Sequence, residues 1–442
     1  MLFPLFEKSL CPYTASPRQI VLAFSGGVDS RVMLELLAIY RDKYPQHHYL
    51  AVHIHHGLSS NADLWLCQCE AWATDARIPF KGVRVTLAHK GESIEKAARE
   101  ARYAAILGEV ENNALILVAQ HADDQAETFL LALKRGSGPA GLASMPACRK
   151  LGHAELFRPL LTATREQIEN YANEAGLSWI EDESNRDSRF DRNFIRNEWL
   201  PSARERWPGI NKAINRTAQL CAEQEALLDV LLQEFDQKVV NQNGSLSIER
   251  LTSLQAPIKT AVVRRWFKQQ TASVPSLAQL QELFSGVINA AIDANPKLKI
   301  GEWWVHRHDD AIYVVRPSKD VTDWSAQVAL DVTCQLPDGL GNMNLSGTRS
   351  GSGQMLRAPQ TGEMVSVRFN PEGLFAHPIG RQGKRKLKKL FQEYRVPTWE
   401  RRRTPLLFYG EQLVAVAGLF VCEGYDGQEC ELIWNKCHAL DA

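Results

Sequence analysis

Six consecutive residues, Ser25-Gly26-Gly27-Val28-Asp29-Ser30, join two permissive glycines to two hydroxyls and one carboxylate. Adjacent glycines allow positive φ and close backbone approach, and the spacing of Val28, Val32, Leu36 and Ile39 predicts a helix starting at this point. A helix N-terminus gathers unpaired N–H groups and the positive end of a dipole, which suits phosphate. Ser25 and Ser30 offer hydroxyl donors as well. Asp29 fits a phosphate cradle only with a divalent cation, when it becomes a ligand for Mg²⁺ bridging phosphate oxygens. The lysine of a Walker A motif is absent. A plain strand-to-helix turn capped by Asp or Ser is the competing reading, and the complete motif weighs against it.

Further groups with chemical potential follow at intervals. His53-Ile54-His55-His56-Gly57 could meet phosphate or base, or merely cap a sheet edge. In His121-Ala122-Asp123-Asp124-Gln125-Ala126-Glu127-Thr128, Asp124 and Glu127 are three apart and share a helix face, where paired acids could hold a cation or an ammonium group. Carboxylates are also what any helix N-terminus prefers. Arg135 to Gly141 reads as a flexible loop, either a lid over phosphates or a connection. The arginines from Arg189 to Arg196 suit an ion-paired surface and guanidinium binding of phosphate equally well. Near the C-terminus, Lys384, Arg385, Lys386, Lys388 and Lys389 belong to a basic run in which Glu393 and Glu400 are the only acids. Such a run is often a solvated face, but Leu387, Leu390 and Phe391 fix one helix side and leave the cations to track phosphates on the other.

Alternating elements must position these residues. Ile20 to Phe24 is an unbroken apolar run, as a strand buried on both faces requires. Strands at Tyr49–Ile54, Phe80–Leu87 and Ala114–Ala119 alternate with helices at Ala62–Ala76, Glu92–Leu107 and Asp123–Lys134, which predicts a doubly wound parallel sheet of α/β class. Ligands in such sheets sit beyond the carboxyl ends of the strands, and that rule selects the residues named above. Thr164 and Gln167 form a capping box for the next helix. A long helix over Pro208–Phe235 is expected to bury Ile210, Ile214, Leu220, Leu227, Leu228 and Leu231. Two smaller α+β domains follow, and Gly347 to Gly353 reads as the linker before the last. The expected boundaries are 1–215, 216–320 and 355–437.

At 442 residues the chain is long for one core. Its net charge is zero, so a nucleic-acid surface must be local. Nine scattered cysteines without a CxxC pair, and no secretory signal at Met1, predict a reducing cytoplasm rather than a disulfide framework. No apolar run reaches membrane-spanning length, and Leu406 to Val421 reads as a hairpin.

The loop SGGVDS resembles that of the ATP pyrophosphatases, which cleave ATP between its α and β phosphates. The order SGGVDS, HIHHG, IEKAAREARY, HADDQAET, LKRGSGPAGL, WIEDESN and DRNFIR resembles the tRNA(Ile)-lysidine synthetase family of that PP-loop superfamily, in its long bacterial form. The resemblance implies an adenine nucleotide alpha hydrolase-like N-terminal domain, with the middle and C-terminal domains binding tRNA. It implies a ligase that uses ATP and Mg²⁺, adenylates O2 of the wobble cytidine in a CAU anticodon, and then attaches free L-lysine at C2. Decoding shifts from AUG to AUA. On this resemblance Ser25, Gly26, Gly27, Val28, Asp29, Ser30 and His53 hold the nucleotide, Asp29 the metal, and Asp124 and Glu127 the lysine. Arg99, Arg102, Arg192 and Arg196 stand near the phosphates or the adenylated base. The basic run would hold tRNA, and a homodimer is left open.

Two other readings share the scaffold. A tRNA thiolase would favour a reactive cysteine pair, yet Cys67 and Cys69 are two apart on a helix and face differently. An amidotransferase lacks an ammonia source. An RNA-binding protein that uses ATP only as a ligand would have no need of the Asp124 and Glu127 pair beside Asp29.

Overall fold

A computed structural model describes residues 2–57, 59–85, 94–183, 187–271, 273–291 and 294–436, with side chains of the helix at 94–107 described from Arg99 onward. Ser184 and Asn185 of the WIEDESN stretch therefore lie outside the described residues. The chain divides into two compact units that meet at Leu231/Leu232.

The first unit opens with helix α1 (Leu2–Leu10) and is built on six strands: β1 (Gln19–Ala23), β2 (His48–His55), β3 (Phe80–Arg84), β4 (Leu115–Leu117), β5 (Cys148–Leu151) and β6 (Ala154–Phe157). Helices α2 (Val28–Lys43), α3 (Ala62–Asp75) and α4 (Ile94–Leu107) connect the first four. The sheet order is β3-β2-β1-β4-β6-β5, with β5 alone antiparallel. The expected parallel sheet is present, extended by the unforeseen β5–β6 hairpin.

The chain grows outward from β1 to β3 and then returns to β4 on the other side of β1, in register from Ile20↔Leu115 to Leu22↔Leu117. This reversal opens a crevice beyond the ends of β1 and β4, where ligands bind in open α/β sheets. Ile20, Val21 and Leu22 are fully buried because both faces are covered. Ile20 and Leu22 pack with α1, α2, α3 and the helix at Arg165–Glu174, while Val21 packs with Ile106 of α4. Ile39 does not join this core: it is exposed, and Tyr40, one position on, is buried instead.

After β4 come α5 (Ala122–Lys134), α6 (Pro139–Leu142), α7 (Arg165–Glu174), α8 (Asp191–Phe194), a wider π turn (Ile195–Trp199), α9 (Leu200–Arg206) and α10 (Ile210–Val239). Helix α10 departs from expectation. Ile214 is buried, but Leu220, Leu227, Leu228 and Leu231 are all exposed. The reason is that α10 is anchored only at its ends. Ile214 and Ala218 pack on α5, and Leu232 and Val239 join the core of the second unit.

The second unit contains a four-stranded antiparallel sheet (strands within 246–315) against helix Ala256–Thr271. It continues with a five-stranded and a four-stranded sheet that share one core. Gly347 to Gly353 is not a linker, because it joins strands Asn342–Ser346 and Gln354–Leu356, which flank Cys430–Asn435 in one sheet. The backbone N–H groups of Ser350, Gly353 and Gly351 all donate to the Glu431 carboxylate and hold its pKa down to about 2. A Cβ at Gly353 would meet the Leu432 carbonyl oxygen, so glycine marks close packing here. Strands of this last region begin at Ser325, upstream of the expected boundary at 355. Leu406–Tyr409 and Gln412–Val416 form the expected hairpin. Among the described residues no helix is long and apolar enough to cross a membrane.

Candidate active site

The loop after β1 is braced from within. Ser30 donates to the Gly27 carbonyl oxygen (3.0 Å), accepts from the Gly26 N–H (3.0 Å) and lies 3.0 Å from the Ser25 hydroxyl. Ser30 is buried, so its hydroxyl shapes the turn. Gly26 has φ +85°, and a Cβ there would lie 2.5 Å from Ile180 Cδ1 and 2.8 Å from Cys69 Sγ. The Ile180 N–H donates to the Gly26 carbonyl (3.0 Å), so the Trp179–Glu181 stretch backs the loop. Val28 sends its side chain into the core and offers only backbone to a ligand. The N–H groups that open α2 have no intrahelical acceptor. His53 lies buried beneath, its Nδ1 2.9 Å from the Phe24 carbonyl oxygen, and burial pushes its pKa down.

Asp29 leaves this loop toward α7 and α5. Its Oδ2 accepts from Arg165 Nη1 (2.7 Å), a residue that the sequence did not single out. Its Oδ1 is buried without a hydrogen-bond partner. Burial raises the Asp29 pKa, against the pull of His121 and Arg165. An orphaned carboxylate oxygen beside the open N–H groups of α2 fits a cation. Among the described residues no three acidic, histidine or cysteine side chains form a metal cage.

His121 connects the two strand ends. As N-cap of α5 its Nδ1 accepts from the Asp123 N–H (3.2 Å), which leaves the proton on Nε2. That Nε2 lies 3.5 Å from Asp29 Oδ1 and 3.4 Å from Asp124 Oδ2. Burial alone would lower the imidazole pKa, but Asp123, Asp124 and Asp29 together hold it above its usual value. The loop after β1 and the acidic start of α5 therefore meet at one imidazole.

Asp124 and Glu127 share a face as expected, and Arg196 spans them. Asp124 Oδ1 accepts from Arg196 Nη2 (2.9 Å) while its Oδ2 accepts from the His121 N–H (3.0 Å). Glu127 is 1% exposed; its Oε1 accepts from Arg196 Nε (2.6 Å) and its Oε2 from Arg192 Nε (2.9 Å). Arg192 on α8 and Arg196 on the π turn are four apart, so both reach the same side. Three carboxylates, Asp29, Asp124 and Glu127, thus face three guanidiniums, those of Arg165, Arg192 and Arg196. Arg189 instead pairs with Asp187 (2.7 Å) at the surface, so all three arginines of the 189–196 stretch are ion-paired with carboxylates, Arg189 outside the crevice and Arg192 and Arg196 within it. Arg99 lies over the Tyr103 ring (5.5 Å), and Arg102 Nε lies 3.4 Å from His56 Nε2.

Asp123 is structural. Its Oδ2 accepts from the Arg165 N–H (2.8 Å), and its Oδ1 from Asn211 Nδ2 (2.9 Å) and Arg204. It thereby fastens α5 to α7, α9 and α10. Burial pushes its pKa up, but His121, the Arg165 N–H and Arg204 outweigh it and hold it at about 2. Asp123→Ala is expected to destabilise the protein by about 3 kcal/mol, since Arg204 and Asn211 lose their acceptor. A depressed carboxylate stabilises above its unfolded pKa, so the calorimetric gap between wild type and variant should close as pH falls from about 4 to about 2. A gap independent of pH would contradict this role.

Cys67 is exposed and Cys69 buried, and burial pushes the Cys69 thiol up to about 12, so the two form no reactive pair. In the second unit Leu387, Leu390 and Phe391 are buried and leave Lys384, Lys386, Lys388 and Lys389 exposed, without a carboxylate partner among the described residues. Arg385 pairs with Glu393 (2.8 Å). Arg402 and Arg403 find Glu372 and Asp338, acids distant in sequence, so the basic excess is smaller than the run suggested.

Comparison with known proteins bears on the whole chain. Residues 5–203 match the family model of the PP-loop domain, 246–313 the TilS substrate binding domain and 365–436 the TilS substrate C-terminal domain. A tRNA(Ile)-lysidine synthase of Vibrio campbellii is 47% identical over 98% of this chain and 99% of its own length. One from Vibrio parahaemolyticus is 48% identical with the same coverage. Another, from Photobacterium profundum, is 47% identical over 98% of this chain and 99% of its own.

Proposed function

The chain belongs to the tRNA(Ile)-lysidine synthase family, and from that premise we propose how its residues divide the work. It is an ATP-using ligase that forms lysidine on tRNA(Ile). In our reading the wobble cytosine O2 attacks the α-phosphorus of ATP and pyrophosphate leaves. The lysine ε-nitrogen then attacks C2, and the C2–O bond breaks to release AMP. The single observation that supports this division is the meeting of Asp29 and Asp124 at His121 Nε2, by which the turn after β1 and the acidic start of α5 face one crevice.

Within that crevice the N–H groups opening α2 would take phosphate oxygens. Asp29, with its free oxygen, would hold Mg²⁺, which when bound offsets phosphate charge. Arg192 and Arg196 neutralise Asp124 and Glu127. Guanidinium groups bind phosphate as well as carboxylate, so a bound triphosphate would compete for them and free acidic oxygens for a lysine ammonium. That ammonium, with a pKa of ~10.4, must shed a proton before it attacks. The exposed lysines around Leu387 would hold tRNA through phosphates.

The test is incubation with ATP, Mg²⁺, labelled lysine and tRNA bearing CAU, following pyrophosphate and lysine separately. Asp124→Ala should raise the KM for lysine roughly tenfold or more, while pyrophosphate release falls less. Equal loss of both steps would refute the assignment of Asp124 to lysine.

A further inference from the structure

Arg99, Arg149 and Arg158 gather around Tyr103 with no acid among the described residues paired to them. The guanidinium carbons of Arg99 and Arg149 lie 5.5 and 5.4 Å from the Tyr103 ring centre. Arg158, the first residue after β6, is 3% exposed. Its Nε donates to Gln120 Oε1 (2.6 Å) and its Nη1 to the Pro146 carbonyl (2.7 Å), both neutral acceptors. Burial pushes the Arg158 pKa down to about 10, and Arg149 and Arg99 push it the same way. Among the described residues no carboxylate pairs with any of the three, whereas Arg165, Arg192, Arg196 and Arg204 each have one. A desolvated cation held beside two others is costly, and an anion would relieve the repulsion.

The placement says which anion. Gln120 immediately precedes His121, so the cluster adjoins the crevice. In the sheet β4 separates β6 from β1. Arg158 therefore follows the strand on the far side of β4 from the Ser25–Ser30 loop, which already supplies a cradle for the nucleotide's phosphates. We propose that Arg99, Arg149 and Arg158 form a second phosphate subsite, which takes a backbone phosphodiester of the RNA strand next to the reacting nucleotide. The assignment rests on the lysidine-forming reading for the identity of the RNA.

Arg149 is the place to test it, because Arg158 also braces two loops. Binding of a CAU anticodon stem–loop RNA to the full chain is measured across a potassium chloride series, with the KM for ATP measured in parallel. Arg149→Gln should weaken RNA binding roughly tenfold at low salt and flatten the log–log salt slope by about 0.7, the value for one lost single-strand phosphate contact. The KM for ATP should stay unchanged. Arg149→Lys, which keeps the charge, should keep the slope. An unchanged slope in Arg149→Gln overturns the proposal, as does an effect confined to the ATP KM, which would assign the anion to the nucleotide. Loss of thermal stability in both variants with equal slopes reduces the cluster to packing and also overturns it. Should the wild type bind this RNA yet transfer no lysine, the parent reading fails while the slope comparison still decides the subsite.

Discussion

Asp29→Asn is expected to abolish tRNA-dependent pyrophosphate release and leave the fold intact. The Asp29 carboxylate is costly to keep: one oxygen is buried without a hydrogen bond, and burial holds its pKa above the usual carboxylate range. Its partner Arg165 also bonds Glu169 (2.7 Å) and is 37% exposed, so it retains a carboxylate and water when Asp29 is neutralised. An isosteric amide removes a poorly solvated charge, and the midpoint of thermal unfolding should stay level or rise by a few degrees. The rate should fall at least ~10²-fold, the effect of removing one preorganised electrostatic group from a polar transition state. Activity lost together with a fall of ~10 °C would make Asp29 structural, and release retained within tenfold of wild type would remove it from the chemistry.

Glu127→Ala should cost both stability and activity. Glu127 is 1% exposed and accepts from Arg192 and Arg196, which are 25% and 35% exposed. Removing the acid leaves two half-buried guanidiniums short of a partner, for which about 3–5 kcal/mol is expected. In a unit of this size that is a fall of roughly 10 °C. Arg196 keeps Asp124 (2.9 Å), which places the effect toward the lower end. Lysine incorporation should fall at least ~10²-fold, because the acidic pair and both arginines lose their register. A double-mutant cycle with Arg196→Ala separates the contributions: the paired variant should be less destabilised than the sum of the singles. Additive losses would show that the two side chains act independently.

The contrast between these variants follows from features of unequal legibility. The strand, glycine turn and helix at Ile20–Ser30 were readable because each is a local signal, and the sheet matched the alternation of elements. The capping box at Thr164 and Gln167 was likewise local, and it is present. Arg165, one residue further, was not readable as a partner of Asp29, since 136 positions separate them. Helix α10 and the Gly347–Gly353 turn misled for a shared reason. Apolar spacing records which side of a helix can be buried, and glycine records a backbone need, but neither says which neighbour arrives.

By itself the sequence determined the order of the elements, the glycine turn between β1 and α2, the shared face of Asp124 and Glu127, and, through the joint order of its motifs, the family. These depend on residues close along the chain, where backbone geometry fixes the outcome. Only the tertiary structure decided that His121 joins Asp29 to Asp124, that Arg192 and Arg196 close upon the acids, that Asp123 is a fastener, and that Arg99, Arg149 and Arg158 stand together without a carboxylate partner among the described residues. Charges act through space over a few ångströms and are strengthened or exposed by burial, and neither distance nor burial is written in the spacing of residues.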